Sequence, residues 1–418
     1  MEEWKENKLG DYILDIAAGP FGSNLKVECF VPTGFPIIDG ANLKGFKVTD
    51  NVTKFVTEEK ARSLHRSIAK RDDVVVTISG NVGQIAYIPL DSKYKEYLVS
   101  QRQFRATFDT SRVYVPYLVY YFHTLEGQHK ILSFANQTGV PALAQPLKNF
   151  KNIDIALPPL SEQIRIAYIL SSLDDKIEVN RRINDNLEQQ AQALFKSWFV
   201  DFEPFKDGEF VESELGMIPK GWRVGTLEEI GDVIGGSTPS KARPEYYTEN
   251  GIAWLTPKDL SVSNAKFTAK GEFDITQEGY NSCSTKLMPR GTVLFSSRAP
   301  IGYITIAKNE ICTNQGFKSV VPDYAGTAFI YCYLKAATPD IENKATGSTF
   351  KEASGSLMKS LQLVIAPKDI MDAFEECLKP IFDEQECVEQ ESRRLATLRD
   401  TLLPKLMSGE LKVNEIEI

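Results

Sequence analysis

The segment Val74–Ile88, VVVTISGNVGQIAYI, consists of two short apolar runs around a turn at Ser79-Gly80-Asn81. Val293–Ala307, VLFSSRAPIGYITIA, repeats the order of strand, small-residue turn, glycine and strand at an offset of 219 residues, from 74 to 293. Short apolar runs flanking a turn of small residues are typical of a β-hairpin. The same hairpin is therefore predicted twice, half a chain apart.

Three further pairs of segments recur in the same order. Residues 34–43 (GFPIIDGANL) match 251–260 (GIAWLTPKDL), 101–105 (QRQFR) match 314–318 (NQGFK), and 137–159 match 345–367. A constant order with drifting offsets indicates a tandem duplication whose loops differ in length. Each copy mixes short apolar strands with helices, so the predicted fold class is α+β, with two mixed α/β domains that we call the first and second heads.

Each head is followed by a long segment in which apolar residues recur at steps of three and four. The positions are Ile166, Leu170, Leu173, Ile177, Leu187 and Trp198 after the first head, and Leu378, Ile381, Leu395, Leu402 and Leu406 after the second. This spacing predicts two coiled-coil helices, each ~60 Å long at ~1.5 Å per residue, that pair antiparallel and act as spacers between the heads. In the alternative, each helix packs only on its own head. Pro380 lies inside the second pattern and predicts a kink near the start of that helix.

These patterns divide the chain into five parts. They are 1–158, the first head; 159–200, the central spacer helix; 201–221, a polar, turn-rich linker; 222–367, the second head; and 368–410, the C-terminal spacer helix. Polar side chains at the helical seam fix the register of a coiled coil at some cost in stability. Asn180, Asn184, Gln385 and Ser392 occupy such positions.

Composition places the chain among soluble globular proteins. Its 418 residues are expected to form two or more domains. No run approaches the ~20 apolar residues of a membrane span, and the acidic N-terminus MEEWKENKLGDY does not resemble a signal peptide. The six cysteines form no CxxC pair, and there are three histidines. We therefore expect free thiols in a reducing cytoplasm and no metal site.

Motifs for catalysis are missing from the sequence. It contains neither a GxxxxGK[ST] phosphate loop nor a strand–GxGxxG–helix unit, so neither ATP nor a dinucleotide has an evident binding site. The Asn/Asp-Pro-Pro-aromatic signature of an amino-methyltransferase is also missing. Three scattered histidines cannot supply both copies of a duplicated Ser/His/Asp site. We therefore expect a binding protein that holds no cofactor of its own.

Polar loop residues that differ between the copies are the candidates for recognition, because framework positions hold the fold. The candidates are Ser23, Asn24, Ser79, Asn81, Gln101, Arg102, Gln103 and Gln137 in the first head, and Ser237, Thr238, Lys241, Arg298, Asn314, Gln315, Thr346 and Thr349 in the second. Such side chains hydrogen-bond base edges and phosphates, which points to double-stranded DNA. In the alternative, Asn, Ser and Gly simply occupy turns. The net charge of −8 argues against DNA binding by the surface as a whole. Binding through a local basic cleft, or with a partner subunit that supplies positive charge, remains compatible with this charge.

Three motifs identify a family. They are residues 157–205, beginning LPPLSEQIRIAYILSSLDDKIEVN; 216–222, GMIPKGW; and 398–411, LRDTLLPKLMSGEL. They closely resemble the specificity subunit of type I restriction–modification systems, and the resemblance extends over nearly the whole chain. It implies two target-recognition domains, each reading one half of a bipartite DNA target, with helical spacers that set the number of unread base pairs.

The resemblance also implies partners. The family's specificity subunit has no catalytic activity and recruits two methyltransferase subunits, which use S-adenosylmethionine. It further supports two ATP-driven, Mg²⁺-dependent restriction subunits that translocate and cut DNA. Because the heads differ, an asymmetric target is expected, and the turn 79–81 against Arg298-Ala299-Pro300 is a candidate for altered reading. Two other hypotheses remain: a self-contained DNA enzyme, and a scaffold that binds protein with both heads.

Overall fold

The computed structural model describes Trp4 and residues 6–136, 140–262, 265–347 and 351–413. The chain divides into two compact units. Unit 1 contains the chain up to Lys176 together with the segment from Leu395 onward, and unit 2 is the continuous stretch Ile177–Arg394. Each unit therefore combines one head with parts of both long helices.

Unit 1 is built from short strands and helices. Its strands are β1 (Glu6–Lys8), β2 (Ile13–Ala18), β3 (Phe30–Val31), β4 (Phe35–Ile38), β5 (Phe55–Val56), β6 (Ile68–Lys70), β7 (Val74–Thr77), β8 (Ile85–Tyr87), β9 (Glu96–Val99), β10 (Gln103–Phe108) and β11 (Asp154–Ala156). Its helices are α1 (Glu58–Ser63), α2 (Val115–Phe122), α3 (Leu125–Leu132), α4 (Pro146–Lys151) and the beginning of α5 (Leu160–Phe199).

The first head contains one antiparallel sheet, one mixed sheet and a small third one. The strand orders are β2-β10-β7-β8 and β3-β5-β4-β9-β6, while β1 pairs with β11. Strands β7 and β8 are antiparallel, with Val74 opposite Tyr87, so the first predicted hairpin is confirmed. Strands β4 and β9 are parallel.

Unit 2 repeats this plan. Its strands are β12 (Phe210–Ser213), β13 (Gly216–Pro219), β14 (Arg223–Thr226), β15 (Gly231–Gly235), β16 (Tyr247–Thr248), β17 (Ile252–Leu255), β18 (Phe267–Thr268), β19 (Asp274–Ile275), β20 (Val293–Ser297), β21 (Ile301–Ala307), β22 (Cys312–Thr313), β23 (Lys318–Pro322) and β24 (Gln362–Ile365). Its helices are the remainder of α5, α6 (Pro257–Val262), α7 (Gln277–Asn281), α8 (Thr327–Lys344), α9 (Gly355–Lys359) and the larger part of α10 (Lys368–Met407), whose end belongs to unit 1.

The two heads share strand order and direction, which confirms the duplication. The order β15-β23-β20-β21-β18 contains the counterpart of β2-β10-β7-β8, and β16-β19-β17-β22 that of β3-β5-β4-β9. The second hairpin places Val293 opposite Ile306. Gly83 and Gly302, which coincide in the sequence repeat, have φ values of 86° and 94°. This left-handed conformation favours glycine at the matching position of both hairpins.

Both long helices enter the core of each unit. In unit 1, Ile166 of α5 and Leu406 of α10 belong to the same hydrophobic cluster as Phe122 of α2. In unit 2, Phe199 of α5 and Phe374 of α10 pack with other residues of the second head. The alternative in which each helix packs only on the head before it is therefore wrong.

The apolar seam lies on the packed side of the helices. Each of the eleven apolar positions named for the seam is buried or half-buried. Contacts in unit 2 run in reverse order along the two helices, since Asn180 contacts Glu391 and Trp198 contacts Phe374. Helix α10 is helical through Pro380.

Residues 201–221, expected to form a polar linker, instead pack on unit 2. The rings of Phe202 and Phe205 lie 5.6 and 4.9 Å from the Trp222 ring, and β12 and β13 form a hairpin. The prediction of a linker rested on the polar and turn-forming residues of the segment and gave no weight to its aromatic residues, which pack on other rings. The segment is an ordered extension of unit 2.

The helices, the potential metal ligands and the cysteines of the described residues bear on the expectations about membranes, metals and thiols. Over those residues, none of the helices has both the length and the apolar character that a membrane crossing needs. Nor do the described His, Cys, Asp and Glu side chains include a group of three or more placed to hold a metal ion. The six cysteines are free thiols.

Candidate nucleic-acid interface

Four loops of the first head come together through backbone hydrogen bonds. They follow β2, join β7 to β8, join β9 to β10, and precede α4. The bonds run from Gly19 N to Gln103 O (2.8 Å), from Ile78 N to Arg102 O (2.6 Å) and from Gly80 N to Pro141 O (3.1 Å). Most of the first-head candidates lie on these loops, so the fold brings together residues that are far apart in sequence.

The corresponding loops of the second head meet in the same way. Backbone bonds run from Ser237 N to Thr313 O (2.9 Å), from Ser297 N to Gly316 O (2.7 Å) and from Ala353 N to Ser297 O (2.9 Å). The second-head candidates therefore also occupy one region. The duplication preserves the loop frame as well as the sheets.

Two glycines hold this frame together by allowing backbones to approach. A Cβ atom on Gly19 would lie 1.9 Å from Ser100 O, and one on Gly236 would lie 2.2 Å from the carbonyl oxygens of Thr313 and Asn314. No side chain fits at such distances. In each head, the glycine therefore allows the loop after the first strand of the sheet to approach the backbone of residues 100 or 313–314 closely.

In the first head, three of these loops (after β2, between β7 and β8, and between β9 and β10) line a cleft of ≈ 570 Å³ together with nearby strands. Five of the candidates line it: Ser79, Asn81, Gln101, Arg102 and Gln103. It is also lined by Asp39, Lys54 and Gln84, which the sequence did not single out. Lys54 Nζ donates to Asp39 Oδ2 at 2.7 Å. Although burial opposes ionisation, this bond and one from the Ala41 N–H lower the pKa of Asp39.

The structure separates exposed candidates in the first head from internal ones. Arg102 and Asn81 are exposed, as are Ser23 and Asn24 in the loop after β2. Gln137 lies outside the described residues. Arg102 therefore presents a guanidinium group, and Asn81 an amide, at the cleft.

Two of the candidate side chains form hydrogen bonds within the first head. Gln103 is 1% exposed and accepts a hydrogen bond from the Ser100 hydroxyl. The Gln101 amide donates to Leu25 O at 2.7 Å and so holds the neighbouring loop. The sequence pattern could not distinguish an amide that faces a ligand from one that braces a loop, because both occur in polar turns.

In the second head, some candidate side chains form hydrogen bonds within the head and others are exposed. The Thr238 hydroxyl donates to Gln315 Oε1, and Asn314 Oδ1 accepts from Gly316 N at 2.8 Å, so both amides are engaged within the head. Lys241 and Thr346 are exposed, and Ser237 is half-buried, with its N–H donating to Thr313 O at the end of β22. Thr349 lies outside the described residues.

Arg298 belongs to an ion-pair network that the sequence did not reveal. Its Nη1 atom lies 3.7 Å from Glu352 Oε2, and Lys318 Nζ lies 3.3 Å from Glu352 Oε1. Glu352 lies in the connection between α8 and α9, and Lys318 begins β23. The only signal in the sequence was the alignment of Lys318 with Arg105 in the repeat.

Each unit also contains a polar contact that ties its head to the long helices. In unit 1, Arg399 Nη1 of α10 lies 2.6 Å from Asp174 Oδ1 of α5, and the Tyr120 hydroxyl of α2 donates to the same carboxylate. Arg399 and Asp174 are 19% and 16% exposed. These contacts join three elements through one acid.

In unit 2 the central acid is Glu188 of α5. The buried Lys266 donates to Glu188 Oε2 at 2.9 Å and to Gln385 Oε1 of α10 at 2.6 Å. Its ammonium group also lies 3.5 Å from the centre of the Phe382 ring. Burial opposes ionisation of Glu188, but the ammonium groups of Lys266 and Lys335 lower its pKa to about 2. Lys266 comes directly before β18, so this contact anchors the second head.

Comparison with known proteins gives a consistent result. The model of the type I restriction modification DNA specificity domain matches residues 1–189 and again 219–390. The HindI specificity subunit of Haemophilus influenzae is 25% identical over 476 aligned positions, which cover 98% of this chain and 100% of that protein. The MjaIX specificity subunit of Methanocaldococcus jannaschii is 42% identical over 158 residues, 37% of this chain and 36% of that protein.

A solved structure supports the fold. The S subunit of a type I restriction–modification system from M. genitalium superposes with a TM-score of 0.61. The alignment covers 96% of both chains at 15% sequence identity. At this identity the likeness shows a common fold over nearly the whole chain.

Proposed function

The chain belongs to the family of type I restriction–modification DNA specificity subunits, and we propose that its two heads read the two halves of one bipartite, asymmetric DNA target. The observation that carries the proposal is the repetition of one four-loop frame with different side chains. A single duplicated frame would bind the same kind of ligand twice. Different loop residues on it would select different base sequences.

The exposed loop side chains have the chemistry that such reading needs. Arg102 can donate two hydrogen bonds to the N7 and O6 atoms of guanine, and Asn81 can pair with the N6 and N7 atoms of adenine. In the second head, Lys241 and Arg298 offer cations to phosphates or guanine. Phosphate contacts position the protein, and base contacts distinguish sequences.

We further propose that α5 and α10 act as coiled-coil spacers. Their length would set the number of unread base pairs between the half-sites. Half-sites on one face of a duplex are ~34–36 Å apart per helical turn. Fixed polar contacts to Asp174 and Glu188 would hold each head at one register on the helices.

The proposed assembly supplies the chemistry that the chain lacks. Two methyltransferase subunits would flip and methylate one adenine in each half-site, using S-adenosylmethionine. Two restriction subunits would use ATP and Mg²⁺ to translocate and cut unmethylated DNA. The chain itself would be non-catalytic and would act in the cytoplasm, where the DNA lies. Partners with positive charge would offset its net charge of −8.

The decisive experiment maps methylated adenines by single-molecule sequencing in host DNA, with the gene intact and deleted. A two-part motif, methylated once on each strand and lost on deletion, is expected. A methylation pattern that the deletion leaves unchanged would contradict the proposal wherever the methyltransferase partner is shown to be expressed. Incubation of the purified chain with methyl donor or Mg²⁺ tests the rival hypothesis of a self-contained enzyme.

A further inference from the structure

The second head places a carboxylate among its candidate DNA-binding cations. We propose that Glu352 is an internal competitor of DNA, which holds Arg298 and Lys318 until a duplex displaces it. Glu352 is then a positioning residue, because it acts through the two cations. The inference rests on the proposed function, since it requires that the second head bind DNA.

One carboxylate engages both cations. Glu352 Oε2 lies 3.7 Å from Arg298 Nη1, and Oε1 lies 3.3 Å from Lys318 Nζ. The side chains of Arg298 and Glu352 are each 37% exposed, while Lys318 is 17% exposed. The pair is therefore open enough for a phosphate to reach the guanidinium, and Lys318 holds the carboxylate from the inner side.

The backbone fixes the position of the carboxylate. Glu352 forms a β-bridge with Arg298 and another with Thr346. Glu352 N donates to Thr346 O at 2.9 Å, and Thr346 N donates to Glu352 O at 3.3 Å. The Arg298 and Glu352 side chains thus start from adjacent backbone positions, so their contact does not depend on a chance meeting of two mobile chains.

The first head contains the same bridge without the charges. There Ser79 pairs with Ala142 at the corresponding place. Arg105, the counterpart of Lys318, forms its ion pair with Asp15 of β2 at 2.6 Å. The cation on the turn and the acid across from it are present together in one copy and missing together from the other, as expected of two residues that act as a pair.

Competition lowers the affinity of the second head for DNA. A guanidinium group binds a carboxylate or a phosphate with the same paired donors, so either anion can replace the other. Glu352 must be displaced before a phosphate or a base can bind Arg298, whatever the sequence of the duplex. The carboxylate therefore lowers the affinity for random DNA, where phosphate contacts supply essentially all of the binding free energy.

The test uses the full chain assembled with its methyltransferase partner and a random-sequence duplex, with affinity measured over a range of salt concentrations. For Glu352→Gln we expect binding about five- to tenfold tighter at low salt, with a salt slope steeper by about one unit. Glu228→Gln is the matched control. It removes the carboxylate of another ion pair of this head, 3.8 Å from Lys359, on a turn outside the four loops, and should leave both quantities unchanged.

A second variant separates displacement from a simple change of charge. In an Arg298→Gln background, Glu352→Gln should have a smaller effect, because Lys318, which is 17% exposed, is then the one cation of the pair left for Glu352 to hold. An equal effect in both backgrounds, an equal effect of Glu228→Gln, or no effect of Glu352→Gln in a protein with wild-type melting temperature would overturn the inference. If the wild-type complex binds duplex without salt dependence, the proposed function fails as well; salt-dependent binding with an inert Glu352→Gln rejects this inference alone.

Discussion

The two heads have one backbone frame and two different surface chemistries. The first presents an exposed Arg102 beside neutral Ser79 and Asn81, whereas the second binds Arg298 and Lys318 to Glu352. Both frames require glycine where loops cross, and both hairpins contain a glycine of positive φ at the matching position, Gly83 and Gly302. The two heads therefore share the residues that determine the backbone conformation and differ in the residues that face outward.

The anchors of the heads differ in the same manner. Each uses an acid of α5, but unit 1 pairs Asp174 with an arginine of α10 and unit 2 pairs Glu188 with the head residue Lys266. Lys266 is 4% exposed and Arg399 is 19% exposed. The second anchor is therefore the more deeply buried, and its loss should cost more.

The largest expected effect is that of Lys266→Met. The substitution leaves Glu188 and Gln385 buried without this ammonium group, and breaking such a pair costs about 3–5 kcal/mol of unfolding free energy. Urea unfolding followed by tryptophan fluorescence measures it, because Trp198, Trp222 and Trp254 all lie in unit 2. Lys335→Met, which removes a 44% exposed partner of Glu188, is the control and should cost less than about 1 kcal/mol. Equal losses of unfolding free energy in the two variants would contradict the role of Lys266 as the anchor of the second head.

Gly19→Ala and Gly236→Ala test whether the loop frames are equivalent. Each added methyl group would meet backbone oxygen at 2.2 Å or less, and we expect each to destabilise its own unit by about 1–3 kcal/mol. Hydrogen exchange resolved by peptide would assign the loss to one unit. Gly45→Ala is the control, since nothing lies within 4 Å of its Cβ. Frames that are not equivalent would respond unequally.

Arg102→Gln should relax base recognition in one half-site and leave the other half-site unchanged. We expect about 1–3 kcal/mol less discrimination at one base pair, because a bidentate contact to guanine is lost. Methylation mapping in cells that carry the variant should then show one relaxed position in one half of the motif. Lys241→Gln, at a proposed phosphate contact, should instead weaken methylation of all targets alike. Relaxation of both halves by Arg102→Gln would reject separate reading by the two heads.

The smallest expected effect is a pH dependence of the second anchor. The pKa of Glu188 is about 2 in the folded chain, below its ordinary value of 4.5, so its contribution is present above pH 4.5 and is lost as the pH falls towards 2. By pH 4 the loss should be about 1 kcal/mol. The measurement is the difference in urea unfolding between wild type and Glu188→Gln at pH 7 and pH 4. The same difference in unfolding free energy at pH 7 and at pH 4 would contradict a stabilising ion pair at Glu188.

Local features of this fold could be predicted from the sequence. The hairpin at 74–88 and its copy were predicted because apolar runs and turn residues act over short distances. The long helices were expected at 159–200 and 368–410 and are found at Leu160–Phe199 and Lys368–Met407. Their spacing of apolar residues shows which face of each helix is packed, and that signal is repeated many times.

Contacts between distant segments could not be predicted. Lys266 meets Glu188 and Gln385 across 78 and 119 residues, and no local pattern marks three such positions as partners. The candidate site shows the same limit, because the roles of Gln101 and Gln103 depend on neighbours brought together by folding. Composition identified the loops, and only the structure distinguished their outward-facing side chains.

The division of the chain into units has a consequence for its synthesis. Unit 2 is one continuous stretch, Ile177–Arg394, whereas unit 1 needs the segment from Leu395 onward to complete its core with Leu403 and Leu406. A ribosome adds ~5–20 residues per second and releases the chain from its N-terminus. The first head therefore cannot complete its core until the end of α10 has been synthesised. The second head can complete its folding before that point.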